Sequence, residues 1–293
     1  MSVSKIILGT VQFGLDYGIN NSSGKPSDEQ IKKILDYASS SGIRILDTAE
    51  AYGDSQTRIG DYHKTSNVTF DIITKYTRSR NDLPDNLIDR VKYNLKQLGV
   101  KKLYCYMFHN FHDYSLLITE FKDELTYLKS TGLVDRIGVS LHSNEEIERV
   151  ILDPSIDLIQ LPFNLLDNSS QRKEILLMAK RRGLEIHTRS VFLQGLFFKD
   201  SFEGNMKLKA LSEYLTPIFE SIHSKERNDL ALNYAYRKDF IDGILLGVDN
   251  VSQLQSNLEI IKYSNFTNMS IFDKIDQIKV KETNLLNPVN WKK

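Results

Sequence analysis

The chain has 293 residues, and its 38 Lys and Arg are balanced by 38 Asp and Glu, so its formal net charge is zero. A composition of 41% hydrophobic and 10% aromatic residues is too apolar for a disordered chain, and six Pro with 15 Gly exclude collagen-like or low-complexity sequence. Zero net charge argues against a protein built around nucleic acid, whose phosphates demand clustered Lys and Arg. A single cysteine, Cys105, leaves no internal disulfide and no cysteine-rich zinc site.

The first residues, Met1 to Gly9, hold too short an apolar run for a signal peptide. The longest apolar runs are about six residues, against the roughly 18 needed to span a bilayer. The expectation is a soluble, cytoplasmic protein with no membrane partner.

Eight short apolar runs recur: Ile6–Leu8, Ile43–Leu46, Phe70–Ile73, Leu103–Phe108, Ile137–Val139, Ile156–Leu161, Leu184–Ile186 and Ile241–Leu246. Each is too short for a helix and too continuous for a half-exposed strand, so each reads as a strand buried on both faces. Helical spacing fills the gaps. Ser27 offers a cap and Asp28 and Glu29 early acids, then Ile31, Ile34, Leu35 and Ala38 share one face. Leu87, Val91, Leu95 and Leu98 form a second stripe, stopped by Gly99. Leu116, Leu117, Phe121, Leu125 and Leu128 predict one helix before Gly132, and Ile175, Leu176 and Ala179 another before Gly183. The long gap before Ile241 has room for a loop and helices around 208–223 and 227–236. Residues 20–26 read as a loop rather than a domain boundary.

Eight alternating strand–helix units predict one domain over residues 1–293, an α/β fold closed into a parallel (β/α)8 TIM barrel. An open doubly wound sheet would carry a glycine-rich turn after the first strand, and Gly9-Thr10-Val11-Gln12-Phe13-Gly14 is not G-x-G-x-x-G.

In a barrel, function gathers at the C-terminal strand ends. Those positions hold Gly9, Thr10, Asp47, Lys75, His109, Ser140, Gln160, Arg189 and Ser190, with Tyr52 in the loop after Asp47. A phenol titrates near 10, and an adjacent ammonium favours the phenolate. Lys75 can supply that ammonium, and Asp47 can hold Lys75 charged. Tyr52 then donates a proton to a developing alkoxide, and His109 adds a second hydrogen bond. That set suits a carbonyl accepting hydride and needs no metal. The pair His109 and His112 has no acidic partner at ligand spacing.

Asp47-Thr48-Ala49-Glu50-Ala51-Tyr52-Gly53, followed by Ser55, resembles the D-T-A-x-x-Y-G-x-S signature of the aldo-keto reductases. The resemblance runs through Leu8-Gly9-Thr10, Ile73-Thr74-Lys75, Met107-Phe108-His109-Asn110, Gly132 to Ser140, Ile159 to Asn164, Gln194-Gly195-Leu196 and Leu246-Gly247 with Asn257. It implies a barrel that binds NADP(H) or NAD(H) in extended form and transfers hydride to an aldehyde or ketone. It implies Tyr52 as general acid, Asp47 and Lys75 tuning it, and His109 orienting the carbonyl. Ser140 and Gln160 would hold the nicotinamide carboxamide. Gly9, Thr10, Asp47, Arg189, Ser190, Phe192, Gly247, Asp249, Gln253 and Asn257 complete the cofactor contacts.

Three positions depart from the family pattern. Leu141 stands where many members carry Asn. Arg189 stands where many carry a Tyr that stacks on the nicotinamide; a planar guanidinium can stack too, hold an anionic or polyhydroxylated substrate, or serve as a salt-bridged strand end. Asp249 and Gln253 stand where NADP-preferring members carry groups that grip the 2′-phosphate. Asp249 would repel a phosphate and could accept from a ribose hydroxyl, which suits NAD(H); family frequency keeps NADP(H) slightly ahead. The substrate pocket is expected to be framed by Phe13, Tyr52, His109, residues 110–114, Phe192–Phe198 and the tail with Trp291. The expected partner is a small sugar-like or acidic carbonyl compound. Two other readings are a nicotinamide-binding regulatory or redox-sensing subunit with slow turnover, and a cofactor-free barrel isomerase or lyase.

Overall fold

The eight apolar runs become eight parallel strands that close on themselves: β1 (Ile6–Gly9), β2 (Ile45–Asp47), β3 (Asp71–Tyr76), β4 (Cys105–Phe108), β5 (Ile137–Ser140), β6 (Leu158–Pro162), β7 (Glu185–Arg189) and β8 (Gly243–Gly247). Each pairs with the next in sequence, and β8 returns to β1 with Ile6 opposite Ile244 and Gly9 opposite Gly247. With helices between the strands this is a (β/α)8 barrel. The structure, a computed structural model, describes residues 3–18, 21, 24–198, 205–263 and 269–291. Residues 20, 22 and 23 of the expected loop at 20–26, and 199–204 in the long gap before β8, lie outside them.

Six apolar runs begin one or two residues before their strands. Ile43, Phe70, Leu103, Ile156, Leu184 and Ile241 are nevertheless at most 3% exposed. The apolar run marks burial, and the strand marks pairing. At the other end most of the strands continue past the run into residues such as Asp47, Lys75, Ser140 and Arg189. That offset follows from the barrel, whose N-terminal end is plugged with hydrocarbon and whose C-terminal end opens on polar groups.

Strand periodicity decides which polar groups face inward. Ile7, Ile73, Cys105, Met107, Leu158 and Leu245 form an inner core distinct from the larger one under the helices, with Ile45 and Tyr104 packed against it. Side chains alternate with period two along a strand. Two residues beyond Ile7, Ile45, Ile73, Met107, Leu158 and Leu245 stand Gly9, Asp47, Lys75, His109, Gln160 and Gly247. On those six strands the interior turns from apolar to polar or glycine at the same height, whereas the inward row of β7, Glu185, His187 and Arg189, is polar throughout.

The helices follow local signals. The helix Asp28–Ser40 opens on a reciprocal cap: Gln30 N–H donates to Ser27 Oγ at 3.3 Å, and Ser27 N–H to Gln30 Oε1 at 2.7 Å. Asn86 caps the helix Leu87–Leu98, which ends at Gly99 with φ +66°. The single helix expected over 116–128 is two, Phe111–Leu117 and Lys122–Ser130, with Leu116 at 48% exposure off the apolar face. The helix expected at 208–223 likewise divides into Met206–Glu213 and Thr216–Phe219, with Pro217 in the opening turn of the second. Among the described residues no helix is long and apolar enough to cross a membrane.

One backbone contact fixes the loop after β2. The one-turn helix Val11–Gly14 lies directly on that loop. A Cβ on Gly14 would sit 1.8 Å from the Tyr52 carbonyl oxygen, and one on Gly53, at φ +54°, would sit 2.5 Å from the Gly14 carbonyl oxygen. Gly14→Ala is expected to lower stability by about 1–3 kcal/mol through this overlap, read as a lower urea midpoint. An unchanged midpoint would contradict the contact.

Candidate active site

A cavity of about 860 Å³ opens at the C-terminal end of the barrel. Its wall includes Gly9, Thr10, Asp47, Tyr52, Lys75, His109, Ser140, Gln160, Arg189, Ser190, Phe192, Gly247, Asp249, Gln253 and Asn257. The strand-end residues singled out in the sequence thus share one wall. A hydroxyl network ties β1, β2 and the Tyr52 loop beneath it. Thr10 Oγ1 donates to the Asp47 carbonyl at 2.9 Å, Ser55 Oγ donates to the Thr10 carbonyl at 3.0 Å, and Thr48 and Ser55 hydroxyls lie 3.2 Å apart.

At the centre Lys75 and Asp47 are 1% and 2% exposed and paired. The Lys75 ammonium donates to Asp47 Oδ1 and, at 2.9 Å, to the Thr48 carbonyl. Gln160 Nε2 donates to Asp47 Oδ2 at 2.8 Å. Burial draws the Lys75 pKa down, but Asp47 and Tyr52 more than reverse it, so it lies above the ordinary value. Lys75 Nζ lies 5.2 Å from the centroid of the Tyr52 ring, and the His109 ring meets Tyr52 edge-on at 5.6 Å.

Burial raises the Tyr52 pKa and outweighs the opposing pull of Lys75. This corrects the expectation of a lowered value: the ammonium acts in the expected direction, but desolvation is larger. The phenol is held protonated at neutral pH. His109 is pushed down to about 3 by burial and by Lys75 and Arg189, so its ring is neutral; its Nδ1 lies 3.2 Å from Thr77 Oγ1.

Glu50, two residues before Tyr52, is a structural hub that the sequence did not disclose. Its buried carboxylate pairs with Arg90 at 2.7 Å and accepts from Asn94 Nδ2 at 2.7 Å, Tyr106 Oη at 2.8 Å and Thr77 N–H at 3.0 Å. Arg90 Nη2 also donates to the Thr77 carbonyl at 2.6 Å. The pair clamps both backbone groups of the residue whose hydroxyl touches His109.

Several expected pocket residues lie elsewhere. Phe13 is fully buried in the outer core, because the one-turn helix turns Val11 and Gln12 to the cavity instead. Residues 110–114 are off the wall; Asn110 caps the helix Phe111–Leu117, and Tyr114 bonds Asp153 at 2.9 Å. Trp291 is buried in the tail, donating to the Leu285 carbonyl at 2.7 Å, while Asn287, Pro288 and Val289 reach the wall. From Phe192–Phe198 the wall takes Phe192, Gln194, Gly195 and Phe198. Ser190, Leu193 and Gln194 adopt φ of +62°, +46° and +54°, a run of left-handed non-glycine residues that persists only where surroundings over-determine it. One such restraint crosses the mouth, where Gln194 Nε2 donates to Tyr17 Oη at 3.0 Å.

Gln12, Tyr17, His142, Ser224, Lys225 and Asn228 line the wall without having been anticipated. Three buried acceptors there, Gln12 Oε1, Asn228 Oδ1 and Asp249 Oδ1, have no partner among the described residues. Asp249 is otherwise tied to Gln253, whose Nε2 donates to Oδ2 at 3.2 Å and whose Oε1 accepts from the Asp249 N–H at 2.8 Å. Unmet acceptors along one wall suit a ligand rich in hydroxyl and amide donors, as a nicotinamide dinucleotide is. Among the described residues no group of three or more metal-ligating side chains occurs.

Comparison with known proteins agrees with this architecture. The model of the Aldo/keto reductase family matches residues 5–279. Aldo-keto reductase YhdN of Bacillus subtilis (strain 168) is 24% identical over 99% of this chain and 93% of its own length. Aldo-keto reductase str7 of Strobilurus tenacellus is 27% identical over 67% of this chain and 62% of its own. The holo form of aldo-keto reductase AKR11C1 from Bacillus halodurans superposes with a TM-score of 0.75 at 18% identity, covering 95% of this chain and 94% of that one. The chain belongs to the aldo/keto reductase family.

Proposed function

We propose that this single-domain barrel reduces an aldehyde or ketone to an alcohol with NAD(P)H, with Tyr52 as general acid. Family membership implies the general activity. The observation that carries the finer reading is a protonated phenol beside a buried ammonium–carboxylate pair and a neutral imidazole, on one cavity wall.

The nicotinamide, when bound, supplies the hydride. Tyr52 donates its phenolic proton to the oxygen as negative charge develops there. The phenolate left on Tyr52 faces Lys75, whose charge Asp47 secures, so the ammonium offsets part of the cost of burying the new charge. His109 is neutral; with the Thr77 hydroxyl donating to Nδ1, its Nε2–H remains to donate to the same oxygen. Ser140 and Gln160 would hold the carboxamide. Gly9, Thr10, Ser190, Phe192, Gly247 and Asn257 would line the rest of the cofactor channel. The polar wall suits a small carbonyl compound with further polar groups, sugar-like or acidic.

Family frequency favours NADP(H), and Asp249 opposes it. Asp249→Ser is expected to tighten NADPH relative to NADH by roughly tenfold, since repulsion between a carboxylate and a phosphate near a protein surface amounts to about 1–4 kcal/mol. Competitive fluorescence titration reads this ratio, and an unchanged ratio would place Asp249 away from the ribose phosphate.

The reduction itself is tested by mixing the protein with NADPH or NADH and a panel of small aldehydes. Loss of nicotinamide absorbance is expected. Tight cofactor binding with no turnover across the panel favours a redox-sensing subunit, and absence of cofactor binding favours a cofactor-free isomerase or lyase. Because the His109 pKa lies near 3, its imidazole signals in NMR are expected to stay flat from about pH 8 to pH 5. A midpoint near the unfolded value of about 6.5 would contradict the neutral ring.

A further inference from the structure

The cavity wall holds a cation, Arg189, that no carboxylate among the described residues neutralises. Arg189, the last residue of β7, continues the inward row of Glu185 and His187 into the cavity wall. Lys75 and Asp47 cancel each other. Arg189 has no carboxylate partner among the described residues. Its Nη2 donates to His142 Nε2 at 2.9 Å and to the Leu141 carbonyl at 3.3 Å, and among the described residues no hydrogen bond from its Nε or Nη1 is found.

The guanidinium is nonetheless held in place. His142 is kept neutral by burial and by the neighbouring Arg189 and Arg172, its pKa lowered to about 4, so it acts as an acceptor. The His142 carbonyl accepts from Arg172 Nη2 at 2.6 Å, and Arg172 is fixed by a buried salt bridge to Asp167. A guanidinium does not shed its proton in a protein, so its charge persists. Its planar fork matches the two oxygens of a carboxylate or a phosphate. A rigidly mounted, unpaired fork opening on the same cavity as Tyr52 and His109 is a site for an anion.

We propose that Arg189 binds an anionic group of the substrate, a carboxylate or phosphate, and so selects acidic carbonyl compounds over neutral ones. The proposal rests on the carbonyl-reductase reading above. It replaces the stacking role that an aromatic residue has at this position with a charge-selecting one.

The test uses the full chain with its cofactor and three probes: 4-oxobutanoate, glyceraldehyde 3-phosphate and the neutral butanal. At least one anionic aldehyde is expected to exceed butanal in kcat/KM by roughly thirtyfold or more, which corresponds to about 2 kcal/mol. The anion that gains identifies its chemistry. Arg189→Met is expected to bring that ratio to within about threefold of unity, chiefly through KM, and Arg189→Lys to keep part of it. Cofactor affinity, from fluorescence titration, is expected to move less than the ratio does. Equal use of butanal and both anions by the wild type overturns the proposal and leaves the reductase reading intact. So does an Arg189→Met variant whose main loss is in cofactor affinity, which would assign the fork to the cofactor. Absence of turnover with every aldehyde, neutral ones included, fails the reductase reading and the proposal with it.

Discussion

A lysine and an aspartate buried to within 2% inside the barrel set the terms for everything around them. Two charges withdrawn from water are costly unless each finds both a counter-charge and hydrogen bonds. Here the requirement is met from four directions: Asp47 from β2, Lys75 from β3, Gln160 from β6 and the Thr48 carbonyl just past β2. Strands that would otherwise be interchangeable hydrocarbon staves are thereby held in one register at the site. The pair also bears on the charge states of Tyr52 and His109. Burial raises the phenol and lowers the imidazole, so both are uncharged; Lys75 opposes burial at Tyr52 and reinforces it at His109.

Much of this was legible in the sequence because barrel strands write two messages at once. The continuous apolar runs announced eight buried strands, and the positions at or near the C-terminal ends of the runs named Asp47, Lys75, His109, Ser140, Gln160 and Arg189 as neighbours at one end. The runs were less informative about where pairing starts, since Ile43 or Ile241 is buried ahead of its strand. Phe13 was misplaced for a related reason: a single helical turn rotates adjacent residues to opposite sides, and no periodicity is readable in four residues. The split of the expected 116–128 helix turned on Leu116, an apolar residue that faces outward.

Other features left no local trace. Glu50 reads as an ordinary residue between Asp47 and Tyr52, yet its carboxylate gathers Arg90, Asn94, Tyr106 and Thr77 from distant segments. Only Arg90 and Asn94, a turn apart on the buried side of their helix, could have hinted at it. Ser224, Lys225 and Asn228 join the wall from the start of the helix Glu226–Tyr236 because of how the long segment before β8 folds back, which composition does not encode. The desolvation that raises the Tyr52 pKa also belongs to the assembled cavity rather than to any residue pair. Placement at neighbouring strand ends suggested an ammonium effect, and burial reversed the net sign.

The central claim is that the protonated phenol of Tyr52, set against the Lys75–Asp47 pair, delivers the proton in carbonyl reduction. Single-turnover reduction of an aldehyde by Tyr52→Phe, measured beside a cofactor titration of the same variant, tests it most directly. The account predicts a fall in the reduction rate of about 10²–10⁴-fold with cofactor affinity changed by no more than about twofold, because only the proton is removed. A variant that reduces the aldehyde at the wild-type rate would contradict it.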